Sequence, residues 1–156
     1  MQKNIKFNFL FFLVFLNLFF FSKSFANEII NFLTLKNNEV NLRQGPSFEY
    51  PIKLIYKKKF LPVEVLGESE VWRKIKDFES NVGWIHISQL SKKKSAINIV
   101  NNSVFYKKST IYSQPIAKLE IGRMVLIKKC NLKWCKISSG GFEGWIFKKS
   151  LWGRTK

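Results

Sequence analysis

Apolar and polar residues along the chain alternate in short runs, the period of strands that bury one face. No segment of useful length carries apolar residues at the 3.6-residue period of a helix, so the pattern predicts an all-β protein. One phrase organises it. Trp72-Arg73-Lys74-Ile75, a polar turn and Gly83-Trp84-Ile85 return as Trp134-Cys135-Lys136-Ile137, a glycine-rich turn and Gly144-Trp145-Ile146. Four of the five tryptophans lie in these two copies, so one small unit is expected twice.

The first unit, over residues 39–91, opens with a strand from Val40 that stops at Gly45-Pro46. Runs at 51–57 and 61–66 follow, the second with Pro62 near its start, where a strand tolerates it. A hairpin of 71–76 and 82–87 is joined by 77–81, and 88–90 closes the unit with a tight turn. Residues 92–96 are expected as a linker, and 27–38 as an ordered lead-in whose Ile29, Ile30, Phe32, Leu33 and Leu35 supply apolar contacts. The second unit, over 97–153, should begin with a strand pair at 96–106 turning at Asn101-Asn102. It continues with strands at 124–129, 133–138 and 143–147 and a closing turn at 149–152. Thr110 to Pro115 takes the place of Asn41 to Pro46, putting Tyr112 where the first unit has Arg43 and Gln114 where it has Gly45. Five short strands per unit suit a small barrel, because closure removes exposed edges.

Residues 1–26 read as a signal peptide outside this fold. Lys3 and Lys6 precede an apolar run at 7–21 broken by Asn8 and Asn17, and Ser22 to Ala26 offers small residues for cleavage between Ala26 and Asn27. The competing reading, a transmembrane anchor, needs about 20 apolar residues, and this run has 15. No cysteine follows the run for lipid attachment. The expected product is periplasmic, with no stable membrane span after cleavage.

The formal charge of +17 falls to +14 once those residues, with their three lysines, are removed. A basic chain suggests nucleic acid or an anionic surface. Only four of the 27 basic residues are arginine, however, and nucleic-acid readers lean on arginine for bidentate contacts. The lysines fall in scattered pairs and triplets, so the expectation is a solvated basic surface without a nucleic-acid partner, with attraction to anionic wall or lipid polymers as the second reading.

Alternation decides which tryptophans could meet a ligand. Val71 and Ile75 should face the core, turning Trp72, Lys74 and Lys76 outward. Ile85 and Ile87 should face in, turning Trp84 and His86 to the other side. In simple hairpin register Trp72, Lys74, Trp84 and His86 share one flank. Aromatic rings beside amines suit sugars, peptides and acidic groups. The other reading is that these rings close the barrel ends or pack between units, since large aromatics are highly buried on average. His86 is the single histidine, without an acidic cluster or a nucleophile motif beside it. No metal site, cofactor or catalytic set is therefore expected. The ten acids are dispersed and form no carboxylate pair for glycoside cleavage.

The only cysteines, Cys130 and Cys135, flank a four-residue connection between two antiparallel runs. Export into an oxidising compartment favours a disulfide over a metal or redox pair. Facing strand positions lie at about 4.5–5.5 Å between Cα atoms, within disulfide reach.

Asn41-Leu42-Arg43-x-Gly45-Pro46-Ser47, Trp72-x-Lys74-Ile75 and Gly83-Trp84-Ile85 resemble the motifs of the bacterial SH3-like (SH3b) family. The resemblance covers 40–90 well and 109–152 less closely. Leu61-Pro62-Val63-Glu64-Val65 and the Cys-x4-Cys spacing are similar to a two-unit periplasmic subgroup of alphaproteobacteria. It implies a tandem of five-stranded barrels and a binding role, commonly toward peptidoglycan or its peptides. The candidate ligand-binding residues are Asn41, Arg43, Tyr50, Trp72, Lys74 and Trp84. The expected partner is cell-wall peptide or glycan, or else a periplasmic protein to which the chain is an adaptor.

Overall fold

The computed structural model describes residues 31–155, and within them every element longer than a single 3₁₀ turn is a strand. The expected signal segment and its cleavage point at Ala26 and Asn27 lie outside the described residues. Unit 1 runs β1 (Asn31–Leu35), β2 (Val40–Arg43), β3 (Ile52–Tyr56), β4 (Pro62–Ser69), β5 (Trp72–Lys76), β6 (Val82–His86), a 3₁₀ turn (Ile87–Gln89) and β7 (Leu90–Ser91). Unit 2 repeats it as β8 (Ser95–Asn98), β9 (Ser103–Tyr106), β10 (Pro115–Leu119), β11 (Met124–Cys130), β12 (Trp134–Ser139), β13 (Phe142–Phe147), a 3₁₀ turn (Lys148–Ser150) and β14 (Leu151–Gly153). The sheet orders, β3-β2-β6-β5-β4-β1-β7 and β10-β9-β13-β12-β11-β8-β14, are the same once counterparts are matched. The tandem all-β architecture is present. Beside the five strands of each barrel, the sheet takes in a leading strand and a short closing one.

Each barrel has its own core. Leu35, Val40, Leu42, Val63, Ile75 and Ile85 form the first, and Ala96, Phe105, Val125, Cys135, Ile137 and Ile146 the second. A glycine closes each barrel. A Cβ on Gly83 would lie 2.6 Å from Leu42 Cγ and 2.7 Å from the Arg43 carbonyl oxygen. One on Gly144 would lie 2.7 Å from both Phe105 Cδ2 and the Tyr106 carbonyl oxygen. Only a residue without a side chain lets β6 approach β2, and β13 approach β9, this closely.

Several expectations change. Residues 31–35 are not a lead-in but strand β1, which pairs with β4 and β7 and buries Thr34 and Leu35 completely. The linker is shorter than 92–96, since β8 begins at Ser95. Residues 96–106 are not a hairpin: β8 pairs with β11 and β14, and β9 with β10 and β13. The chain does turn at Asn102, which takes the left-handed backbone (φ 53°) that asparagine tolerates, but it then crosses to the other side of the barrel.

The units are docked through the fifth tryptophan. The Trp152 ring meets Phe32 edge-on at 5.0 Å and Phe78 at 5.9 Å. Ser95 Oγ donates to the Phe60 carbonyl at 2.6 Å, and Arg154 to the Lys92 carbonyl at 2.7 Å. Packing between units is thus the role of Trp152, outside the repeated phrase, and not of the four repeated rings.

Buried polar chemistry distinguishes the two barrels. In unit 1 the Tyr56 hydroxyl donates to Asp77 Oδ2 at 2.9 Å. The same carboxylate accepts from the Asn81 backbone N–H at 2.8 Å and side-chain amide at 2.9 Å. Tyr56 and Asp77 are both buried. The strand pairings Val40↔Tyr56 and Ser103↔Leu119 place Leu119 where unit 1 has Tyr56. The hairpin turn is there reduced to Gly140-Gly141, and a hollow of about 280 Å³ lined by Phe105, Leu119 and Gly140 takes the place of the polar node.

Burial, and then the hydrogen bond to Asp77, hold the Tyr56 phenol well above its usual range. The folded chain therefore keeps it neutral where the unfolded chain ionises it. Its stabilisation is complete below about pH 10 and is lost as pH rises beyond that. Tyr56→Phe should lower stability at neutral pH by about 1–3 kcal/mol, the cost of a buried carboxylate missing a partner. It should also flatten the alkaline limb of a denaturant-midpoint profile. An unchanged alkaline limb would speak against the buried node. Cys130 and Cys135 are bonded and directly paired, with Cα atoms 4.0 Å apart. The Asn131 side chain accepts from Lys133 and Trp134 N–H at 3.0 and 2.7 Å to shape the turn they close. The bridge spans a short loop, so replacing both cysteines by serine should cost at most about 3 kcal/mol. Thiol titration of the unfolded, unreduced protein should find none.

Candidate functional site

The unit 1 flank is built by cross-strand pairing. β5 and β6 pair Trp72 with His86 and Lys74 with Trp84, and β2 adds Arg43 opposite Trp84. Directly opposed residues share a face, so five side chains from three strands stand on one side of the sheet. Asn41, half-buried, lies two residues from Arg43 on the same face of β2. Lys74 is exposed and has no ion-pair partner among the described residues.

The loop between β2 and β3 folds over this flank. Its Phe48 ring sits 4.9 Å from Trp72, edge-on, and 5.5 Å from His86, while Trp72 meets His86 at 5.3 Å. Phe48 itself is 62% exposed. Arg43 holds the loop, donating to the Phe48 carbonyl at 3.0 Å and the Tyr50 carbonyl at 2.7 Å, with its guanidinium 5.5 Å over the Phe48 ring. The half-exposed Tyr50 ring lies against Gly45, where a Cβ would come within 2.6 Å of it. That contact, at a position without positive φ, is what the glycine serves. His86 is oriented by Ser88, whose N–H donates to Nδ1 at 3.3 Å and whose hydroxyl lies 2.7 Å from the same nitrogen.

Most of the expected site residues are therefore neighbours, with two changes. Trp72 points outward as the alternation requires, yet only 6% of it is exposed, because Phe48 and His86 cover it. Arg43 is occupied by two loop carbonyls, which makes it a support for Phe48 and Tyr50. Val71 and Ile87 are not core residues: they are 48% and 42% exposed, Val71 in the turn before β5 and Ile87 in the 3₁₀ turn after β6. Phe48 was missed. Its only sequence signal is an aromatic ring soon after the Gly45-Pro46 turn.

The matching flank of unit 2 is differently made. Trp145 pairs with Tyr106, as Trp84 does with Arg43, so Tyr106 and not Tyr112 stands in the arginine's place, and Lys108 rather than Gln114 in that of Gly45. Tyr112 is 93% exposed on the loop. The proline at 115 suggested the other register; the glycine contact of Gly144 with Phe105 and Tyr106 fixes this one. Trp134 is buried beneath Phe147, stacked at 4.0 Å, and Tyr106 at 5.9 Å. Lys136, the counterpart of Lys74, is 3.4 Å from Glu143, which also meets Lys128 at 3.2 Å. Those two lysines hold the Glu143 carboxyl below its usual range, Lys128 contributing most. On this flank Lys136 is already paired, while Lys129 lies 5.6 Å over the Trp145 ring.

Among the described residues no three His, Cys, Asp or Glu side chains gather as a metal site, and no helix is long and apolar enough to cross a membrane. A sequence profile of the family described as Bacterial SH3 domain matches residues 36–92 and again residues 100–153. No curated protein matches the chain. The solved structures that resemble it include NlpC2 and NlpC1 from Trichomonas vaginalis. The first has a TM-score of 0.37 at 15% identity over 83% of this chain and 50% of that one. The second has 0.37 at 16% over 85% and 48%. The chain spans about half the length of each.

Proposed function

The chain belongs to the bacterial SH3 domain family, and on that premise we propose that it is a non-catalytic binding module of the periplasm that recognises cell-wall peptide or glycan through unit 1. The observation that carries this reading is the exposed Phe48 ring beside Trp72 and His86, with Trp84 and the unpaired Lys74 amine on the same face of the sheet. Ring faces and edges suit sugar rings and peptide planes, and an amine beside them suits the carboxylates of wall peptides. Arg43 and Gly45 keep Phe48 and Tyr50 in place, so little loop ordering remains to oppose binding. The basic, apolar segment before Ala26 supports export to the compartment where such ligands lie. Unit 2, with Lys136 paired to Glu143, Trp134 stacked under Phe147 and Trp145 already beneath Lys129, serves as a partner that packs against unit 1.

One observation favours a second reading, an adaptor that docks on a periplasmic enzyme or envelope complex. β3 is an edge strand that exposes Ile52 and Ile55, and an apolar free edge suits pairing with another protein.

Co-sedimentation with purified peptidoglycan separates the two. Wall recognition predicts retention that falls roughly tenfold, about the loss of one good ring or charge contact, in Phe48→Ala and in Lys74→Ala. The matched Lys136→Ala should bind as the parent does. Retention indifferent to both unit 1 changes would remove the flank as the site. No retention on bare wall, together with a single crosslinked partner lost in Ile55→Lys, would establish the adaptor.

A further inference from the structure

We propose that unit 2 docks on an anionic lipid surface through the tip of its disulfide-pinned hairpin. The first observation is where the positive charge lies. Residues 39–91 carry eight Lys and Arg against seven Asp and Glu, whereas residues 97–153 carry ten against two, Glu120 and Glu143. Of the excess of 14 after residue 26, unit 2 holds eight and unit 1 only one, the rest lying in the linker lysines 92–94 and at Arg154 and Lys156. Glu143 is already held between Lys128 and Lys136.

The second observation is the tip itself. Leu132, between β11 and β12, is 95% exposed, more than any other large apolar side chain described. It is presented rigidly. The Cys130–Cys135 bridge and the Asn131 side chain fix the turn, and Lys148 N–H donates to the Lys133 carbonyl at 2.8 Å, tying the 3₁₀ turn to the hairpin. Leu132, Lys133, Phe147, Lys148 and Lys149 consequently line one groove of about 510 Å³. Lys128 and Lys129 stand exposed on the ascending strand of the same hairpin.

A leucine ringed by lysines matches the layering of a membrane surface. The amines stay at the level of the phosphates while the apolar side chain enters the acyl boundary beneath. A phospholipid-free polyanion would satisfy the lysines and leave Leu132 in water, which is why the lipid surface is the better fit. The face is separate from the unit 1 flank, so neither site depends on the other.

The test uses the chain from Asn27, since both cores and every element among the described residues lie within 31–155. Co-sedimentation would be compared on vesicles of phosphatidylcholine and of phosphatidylcholine mixed with phosphatidylglycerol. Binding is expected to the mixed vesicles only. It should fall about tenfold in Leu132→Ser, which removes one partly inserted side chain, and fall again in Lys133→Glu. Leu132 is exposed, so the near-ultraviolet spectrum of Leu132→Ser should match the parent's. Equal binding by Leu132→Ser would overturn the proposal, as would equal binding to neutral vesicles. Retention on heparin or DNA with none on the mixed vesicles would overturn it too.

Discussion

The absence of a side chain at two positions sets the geometry of the molecule. Gly83 and Gly144 let the last long strand of each barrel lie against the first, with backbone and core side chains where a Cβ would have to be. That approach closes both cores and pairs Trp84 with Arg43 and Trp145 with Tyr106. The residue opposite the second tryptophan of each repeat is thereby chosen, and so is the anchorage of the loop that follows it. In unit 1 the guanidinium of Arg43 reaches two carbonyls of that loop and draws Phe48 over the flank. In unit 2 a phenol ring at the same place leans on Trp134.

One frame therefore carries two surfaces. Unit 1 is almost neutral, with a polar node of Tyr56, Asp77 and Asn81 in its barrel and an aromatic flank beside an unpaired amine. Unit 2 has lost the node to Leu119 and a shortened turn, has stacked Phe147 over Trp134, and carries the larger share of the excess charge. The bridge between Cys130 and Cys135 ties down the hairpin of unit 2, whose buried polar contacts centre on Asn98 and its bonds to the Val100, Leu119 and Glu120 carbonyls. Trp152 and Ser95 then join the two barrels through contacts that neither repeat copy contains.

Local pattern was enough for what local pattern determines. The repeated Trp-x-Lys-Ile and Gly-Trp-Ile phrases placed β5, β6, β12 and β13, and simple hairpin pairing set Lys74 opposite Trp84. The cysteine spacing gave the bridge because a hairpin brings its flanks together. Errors arose where distant segments decide. Residues 31–35 bury adjacent Thr34 and Leu35 between β4 and β7, which breaks alternation and hides a strand. Pro115 suggested a false counterpart of Pro46, which the pairing of Trp145 with Tyr106 and the contact of Gly144 with β9 correct. The covering of Trp72 by Phe48 depends on how a loop returns across the sheet, for which no periodicity exists.

The binding role of unit 1, set against the closed flank of unit 2, is most directly examined through the five tryptophan indole N–H signals in a nitrogen-edited NMR titration with soluble peptidoglycan fragments. Trp84 and Trp72 should shift in a saturable way, while Trp134, Trp145 and Trp152 stay where they are. Saturable shifts at Trp145 without any at Trp84, or no shift at any of the five at fragment concentrations in the millimolar range, would contradict it.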